Sequence, residues 1–189
     1  CEVLYNAAIN YESDYRIGPA IQIRRRLFQE CGDDSEYAQD HGGASQWAKK
    51  AIYQIGGNYH AIAAYTKAAQ YYEEFARRYN GEEEAPDALR NATVFRLGLG
   101  QDEKAISNSR LFEKNYGTRR QYKTQAATVV FSIGTIYMRR ESWRDAEKHY
   151  RSFIKRYGRS SSSDETIQAH TNLGFAMWKQ GERQQSKAL

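Results

Sequence analysis

Proline is nearly absent from this sequence, with two in 189 residues. A chain with so few helix breakers is free to be helical almost throughout. Cysteine is equally scarce. Two cysteines without a C-x-x-C form no metal or redox motif, and they do not fix a compartment. No run of 18 apolar residues exists, so no stretch is suited to span a membrane as a helix. The motifs of common chemistries are missing too. There is no G-x-S-x-G, no Walker loop and no G-x-G-x-x-G, and Gly42-Gly43 and Gly56-Gly57 lack the strand context of a phosphate loop. The four histidines, His41, His60, His149 and His170, show no ligand spacing such as H-E-x-x-H. Asp33-Asp34 sits in a polar loop with nothing to desolvate either carboxyl, which leaves general acid/base work unsupported. These absences point away from an enzyme; no catalytic residue, metal, cofactor or small-molecule substrate is expected.

What the chain has instead is aromatic periodicity. Fifteen tyrosines and seven phenylalanines accompany 40% hydrophobic content and a mean hydropathy of -0.86, the balance of a water-soluble chain. From Val130 to Gly158, apolar residues fall at Val130, Ile133, Tyr137 and then Trp143, Ala146, Tyr150, Phe153 and Tyr157. Steps of three and four mark helices with one buried face. The rhythm breaks at Arg139-Arg140-Glu141-Ser142, so the stretch predicts two antiparallel helices, with Ser142 as N-cap of the second and Gly158 as a left-handed end. Gly134 and Ala146, nearly without side chains, are expected at the closest approach of the pair.

The phrase recurs. Phe153-x-x-x-Tyr157-Gly158 matches Phe75-x-x-x-Tyr79-Asn80 and Phe112-x-x-x-Tyr116-Gly117, with a weaker copy in Leu27-x-x-x-Cys31-Gly32. A small residue seven positions earlier falls at Ala20, Ala68, Ala105 and Ala146. The steps between these alanines are 48, 37 and 41, so loop lengths vary around constant helical cores. A near-fixed internal period is the signature of a repeat architecture. Cys31 occupies the slot of Tyr79, Tyr116 and Tyr157, which predicts a small buried residue rather than a reactive thiol.

Ile55-Gly56-x-x-Tyr59, Ile133-Gly134-x-x-Tyr137 and Leu173-Gly174-x-x-Met177, followed by Ala-x-x-x-Tyr-x-x-Phe, resemble the tetratricopeptide repeat. Thr93 departs from the first-helix glycine, Ser109 from the usual aromatic and Ser186 from the second-helix alanine. The resemblance implies an all-α, right-handed solenoid of antiparallel helix pairs, with repeats near 1–31, 47–80, 86–117, 126–158 and a partial 165–189. Both ends then look cut from a longer protein. Repeat steps near 40 with the F-x-x-x-Y ending resemble bacterial cell-envelope members, including the outer-membrane assembly lipoprotein and periplasmic coordinators of division. NYHAIAAYTKAAQYYEEFARRY and NATVFRLGLGQDEKAI are similar to the tetratricopeptide protein of the myxobacterial gliding-motility machinery. That likeness favours a periplasmic or outer-membrane-associated place, with a cytoplasmic one left open. Cys1 is either a lipidation site or a fragment boundary, and the boundary is preferred because no flexible tether follows.

Along the chain, Gly18-Pro19 opens a helix carrying Ala20, Ile23 and Leu27 inward, with Arg24-Arg25-Arg26 largely on the solvated face. Residues 32–45 form a polar loop with a short helical turn at Ser35 to Gln39, and Ser45 starts the next helix. Asp164 caps a last long helix that Gly181 turns.

Two surfaces are candidates for binding. The family geometry places first helices on the concave face, so the implied groove includes Tyr53, Arg90, Val94, Phe131, Thr135, Phe175 and Trp178. A lining this aromatic and aliphatic suits an apolar helix or an extended segment of a protein partner. The rival is a basic face. Residues 110–159 hold 13 Lys/Arg against 4 Asp/Glu, a balance of +9, and the remainder, with 15 and 19, stands at -4. Arg119, Arg120, Arg139, Arg140 and Arg144 are its candidate residues, for an anion-binding or nucleic-acid-binding module. Nucleic acid is disfavoured, since acidic residues interrupt the basic ones and no nucleic-acid motif is present. A membrane would be reached only through a partner or a lipid anchor.

Overall fold

The computed structural model describes residues 1–188, with side chains through Gly181. Among these residues there are ten α-helices, one 3-10 turn and no strand. The chain divides into two compact units, Cys1–Leu99 and Gly100–Leu189. In the first, α1 (Glu2–Ser13) pairs with α2 (Ile17–Cys31), and the short α3 (Glu36–His41) lies on α2. α4 (Gln46–Ala61) packs on α2, α5 (Tyr65–Arg78) on α4, and α6 (Ala85–Gly98) on α5. In the second unit α7 (Asp102–Tyr116) is followed by the 3-10 turn (Arg120–Tyr122) and α8 (Lys123–Arg139). α8 packs on α7, on α9 (Trp143–Tyr157) and on α10 (Ser163–Ala188), and α9 packs on α10.

The repeat has a backbone signature that sharpens its register. Tyr15, Ala63, Gly100 and Glu141 adopt left-handed φ of 58, 57, 67 and 53°, each five residues before Ala20, Ala68, Ala105 or Ala146. At three of these turns the N–H of the next residue bonds back five residues, Arg16 to Tyr11 at 2.8 Å, Ala64 to Tyr59 at 2.8 Å and Ser142 to Tyr137 at 3.0 Å. This is the bond pattern that closes a helix on a left-handed residue. A non-glycine residue there costs on the order of 1 kcal/mol, so packing of the two helices sets the turn against local preference.

The seams bury what the periodicity selects. The four repeat alanines are fully buried, as are Leu27, Phe75, Phe112 and Phe153. Each F-x-x-x-Y ending is a ring pair, Phe75–Tyr79 at 5.7 Å, Phe112–Tyr116 at 5.1 Å and Phe153–Tyr157 at 6.0 Å. A Cβ on Gly134 would lie 2.4 Å from Cζ of Tyr150, and one on Gly56 would lie 2.7 Å from Tyr72. The close approach is therefore glycine backbone against a tyrosine ring.

Several local expectations change. Gly158 is right-handed (φ -55°, ψ -21°), not a left-handed end. Its glycine is needed because a Cβ would meet the Ile154 carbonyl at 2.6 Å. Ser142 is the N-cap residue of α9 but makes no side-chain cap bond, whereas Ser35 and Ser45 accept from Ala38 N and Ala48 N. α10 is opened by Ser162 and Glu165, each accepting from the other's backbone N–H, so Asp164 lies in the first turn rather than at the cap. Gly181 does not turn the chain, and α10 runs on to Ala188. One glycine inside a helix costs only about 1 kcal/mol, and no Ser, Thr, Asp or Asn precedes it to start a new helix. The Ser186 departure lies outside the described side chains.

Two further corrections concern the first unit. Arg24 is not on the solvated face: it is fully buried, while Arg25 and Arg26 are exposed. Its spacing of four from Ala20 puts it inward, and Glu12, Gln54 and Asn58 supply acceptors there. Cys31 is buried as expected, but it is disulfide-bonded to Cys1, with 6.0 Å between the Cα atoms. The Sγ that lipidation of Cys1 would use is thereby occupied. Both cysteines belong to an apolar cluster with Leu4, Tyr5, Leu27, Phe28 and Trp47.

Candidate protein-binding surfaces

In the first unit, Tyr53 projects from α4 onto the second-helix aromatics, its ring 5.5 Å from Tyr72 and 5.3 Å from Phe75. Burial raises its hydroxyl above the ordinary value, with Asp87 and Glu84 adding to the shift. Half of this ring is thus seam rather than surface. Arg90 is half-exposed and its Nη2 lies 3.3 Å from Asp87 on the same helix. Val94 is open to solvent. Also on this unit, His60 stands edge-on to Phe95 at 4.8 Å.

In the second unit, Phe131 is half-buried between Tyr150 (6.1 Å) and Phe153 (5.5 Å), the position matching Tyr53. Thr135 is exposed and its hydroxyl donates to the Ser132 carbonyl at 2.7 Å. Phe175 and Trp178 come together on α10. Their ring centroids are 5.6 Å apart, Phe175 meets the edge of Trp143 at 5.7 Å, and 41% of Phe175 and 55% of Trp178 remain exposed. Lys179 Nζ lies 4.4 Å from the Trp178 centroid and 5.7 Å from that of Phe175, within cation–π range. Ile167, 65% exposed, was missed by the sequence reading. Its spacing of four, eight and eleven to Thr171, Phe175 and Trp178 is the helical signal that would have found it.

The basic stretch is less free than its composition suggests. Asp102, itself buried, accepts from both Arg139 and Arg140, the latter at 2.9 Å, and Arg140 also donates to Glu103 at 2.9 Å. Arg119 lies over the Tyr116 ring, 5.5 Å from its centroid. Arg120 and Arg144 are exposed. Two of the five candidate arginines therefore pin α8 to the start of α7, a role invisible in a charge count.

The tyrosine endings serve a similar purpose. Tyr79 donates to Asp33 Oδ2 at 2.6 Å and Tyr157 to Glu113 Oε1 at 2.8 Å, each reaching back to the preceding second helix or the loop after it. Burial, with Glu113's charge and hydrogen bond behind it, pushes the Tyr157 hydroxyl up to about 12, so it remains a donor at neutral pH. Among the described residues no cluster of His, Cys, Asp and Glu could hold a metal, and no helix is long and apolar enough to cross a membrane.

No family model and no curated protein matches the sequence. Solved structures do resemble it. A tetratricopeptide repeat protein from Parabacteroides merdae superposes at a TM-score of 0.58 with 12% identity, over 94% of this chain and 60% of that one. MamA gives 0.56 at 12% identity over 99% and 86%. A Podospora anserina putative kinesin light chain with nearly identical TPR-like repeats gives 0.54 at 10% identity over 99% and 89%. At such identities the likeness shows the fold alone, and that fold is the all-α, tetratricopeptide-like solenoid of helix pairs.

Proposed function

We propose that the protein is a non-catalytic scaffold that binds other proteins, with an apolar helix or extended segment as the ligand. The exposed Phe175–Trp178 pair carries this reading. Large aromatic rings open to solvent on one helix face are costly to leave wet and are common binding anchors. The Cys1–Cys31 bond supports a working place in an oxidising compartment, where such bonds persist. This agrees with a bacterial cell-envelope or motility assembly as the setting.

Selection from a random-peptide display library on the immobilised protein tests the reading. Enriched peptides should be apolar, bind nearly as well in high salt, and lose about 2 kcal/mol or more on Trp178→Ala. Enrichment of acidic peptides that dissociate with salt and ignore Trp178→Ala would move the site to the arginines.

A further inference from the structure

The first unit contains an arginine held by two tyrosines. Arg25 of α2 lies 5.9 Å from the ring centroids of both Tyr59 and Tyr71, and donates Nε to Tyr71 Oη at 3.0 Å and Nη2 to Tyr59 Oη at 2.7 Å. The repeat register carries these positions to Arg110, Tyr137 and His149 of the second unit. There one partner has changed. Where Tyr71 offers a hydroxyl, His149 donates its Nε2–H to the Val130 carbonyl at 3.0 Å. Arg110 makes no ion pair or hydrogen bond with another described residue.

A cavity of about 110 Å³ opens beside Arg110, between α7, α8 and α9. Its polar wall is Ser109, Arg110 and Glu113 from α7 and His149, Ser152 and Arg156 from α9, over an apolar floor from α8. Ser109 stands in the slot of Tyr72 and Tyr150, so a hydroxymethyl replaces a phenol in the α7 wall. It is 5% exposed, and neither its hydroxyl nor that of Ser152 is hydrogen-bonded to a described residue. Glu113 is ion-paired with Arg156 and accepts a hydrogen bond from the Tyr157 hydroxyl. What remains is one uncompensated cation and two unused hydroxyls around a space worth a few water molecules at about 30 Å³ each. A nucleotide or a helix would not enter.

We infer that this cavity binds a single tetrahedral oxyanion of the phosphate or sulfate kind, with Arg110 as its counter-charge and the Ser109 and Ser152 hydroxyls as donors. The guanidinium fork suits such oxygens, and Arg110 and Ser152 stand open to solvent, where an anion can reach them. The group could arrive as a free anion or on a phosphorylated side chain, and the chemistry of recognition is the same.

The test is an NMR titration of the full chain with sulfate, whose charge is constant near neutral pH, at ionic strength held fixed with chloride. Saturable shifts at α7 and α9 amides are expected. Arg110→Gln, at an exposed position where folding is not at stake, should weaken binding at least tenfold, while Arg159→Gln, outside the cavity wall, should change it less than twofold. Inorganic phosphate and O-phosphoserine form the second arm. Equal binding assigns a free anion, and tighter phosphoserine binding assigns a modified side chain. Shifts that do not saturate, or that are identical in Arg110→Gln, overturn the site.

Discussion

The first and fourth helix pairs use one position in opposite ways. In α2 it is Arg24, fully buried, with Nη2 2.6 Å from Glu12 Oε2, Nε 3.0 Å from Gln54 Oε1, and Nη1 bonded to Asn58. In α9 it is Tyr150, also fully buried, against the bare backbone of Gly134, its hydroxyl accepting from Asn172 at 3.0 Å. In these two pairs the position holds a long side chain whose polar tip is hydrogen-bonded, and it need not be aromatic. The two solutions depend on different things. The arginine needs acceptors from α1 and α4, whereas the tyrosine needs a glycine. The ends of the two pairs differ likewise: Tyr157 is held by a hydrogen bond to Glu113, and Cys31 by a covalent bond to Cys1.

The largest way to break this contrast is to empty the aromatic seam. Phe153 is fully buried between Phe131 and Tyr157, so Phe153→Ala should cost about 3–5 kcal/mol in urea denaturation. A loss below about 1 kcal/mol would show that the pair rests on its backbone approach at Gly134 instead. Next comes the staple. Cys1 and Cys31 close a loop with a sequence separation of 30, and chain-entropy arguments give about 3–4 kcal/mol for such a loop. Cys1→Ser with Cys31→Ser should therefore raise amide exchange in α1, α2 and α4 and leave α8 and α9 at their former protection. Equal loosening of both sets would mean that the bond does not act on the first unit alone.

Helix pairs, their order and the burial of Ala146, Phe153 and Tyr157 were legible because one period repeats four times, and a buried face imposes that period. The left-handed turns were not, since Tyr15, Ala63 and Glu141 are poor local signals for such a backbone; only their fixed distance from the alanines marks them. The disulfide was missed because pairing of Cys1 with Cys31 is a tertiary fact, and the slot of Cys31 is explained equally well by a small apolar residue. Arg24 was misread for a related reason. Three consecutive arginines look like a solvated run, and partners as distant as Gln54 and Asn58 cannot be weighed from spacing within α2. In the candidate surface, Phe175 and Trp178 were legible as an aromatic face. Phe131 and Tyr53 were only half so, because the same spacing that faces a groove also faces the neighbouring second helix.

The smallest effect concerns the position that is Tyr71 in the first unit and His149 in the second. His149 replaces the tyrosine of the first unit, and burial lowers its pKa below the usual 6.5; the hydrogen bond to Val130 and the charge of Glu113 oppose the shift without cancelling it. Folded His149 therefore takes up a proton less readily than it does in the unfolded chain. Above pH 6.5 both states are neutral and the full stability is present. As the pH falls below 6.5 the unfolded chain binds the proton first, so stability declines until the pH passes below the folded pKa. The slope is bounded by about 1.4 kcal/mol per pH unit. Arg110, Glu113 and Arg156 line the same cavity wall as His149, and Glu113 is also paired with Arg156 and the Tyr157 hydroxyl. His149→Gln keeps a donor for the Val130 carbonyl and removes the titration. Its melting temperature should fall less than that of the parent between pH 7.5 and 5.5, and Tyr71→Phe in the first unit should leave the parent's pH dependence unchanged. Parallel pH profiles for His149→Gln and the parent would place the acid sensitivity elsewhere, among the carboxylates that both proteins share.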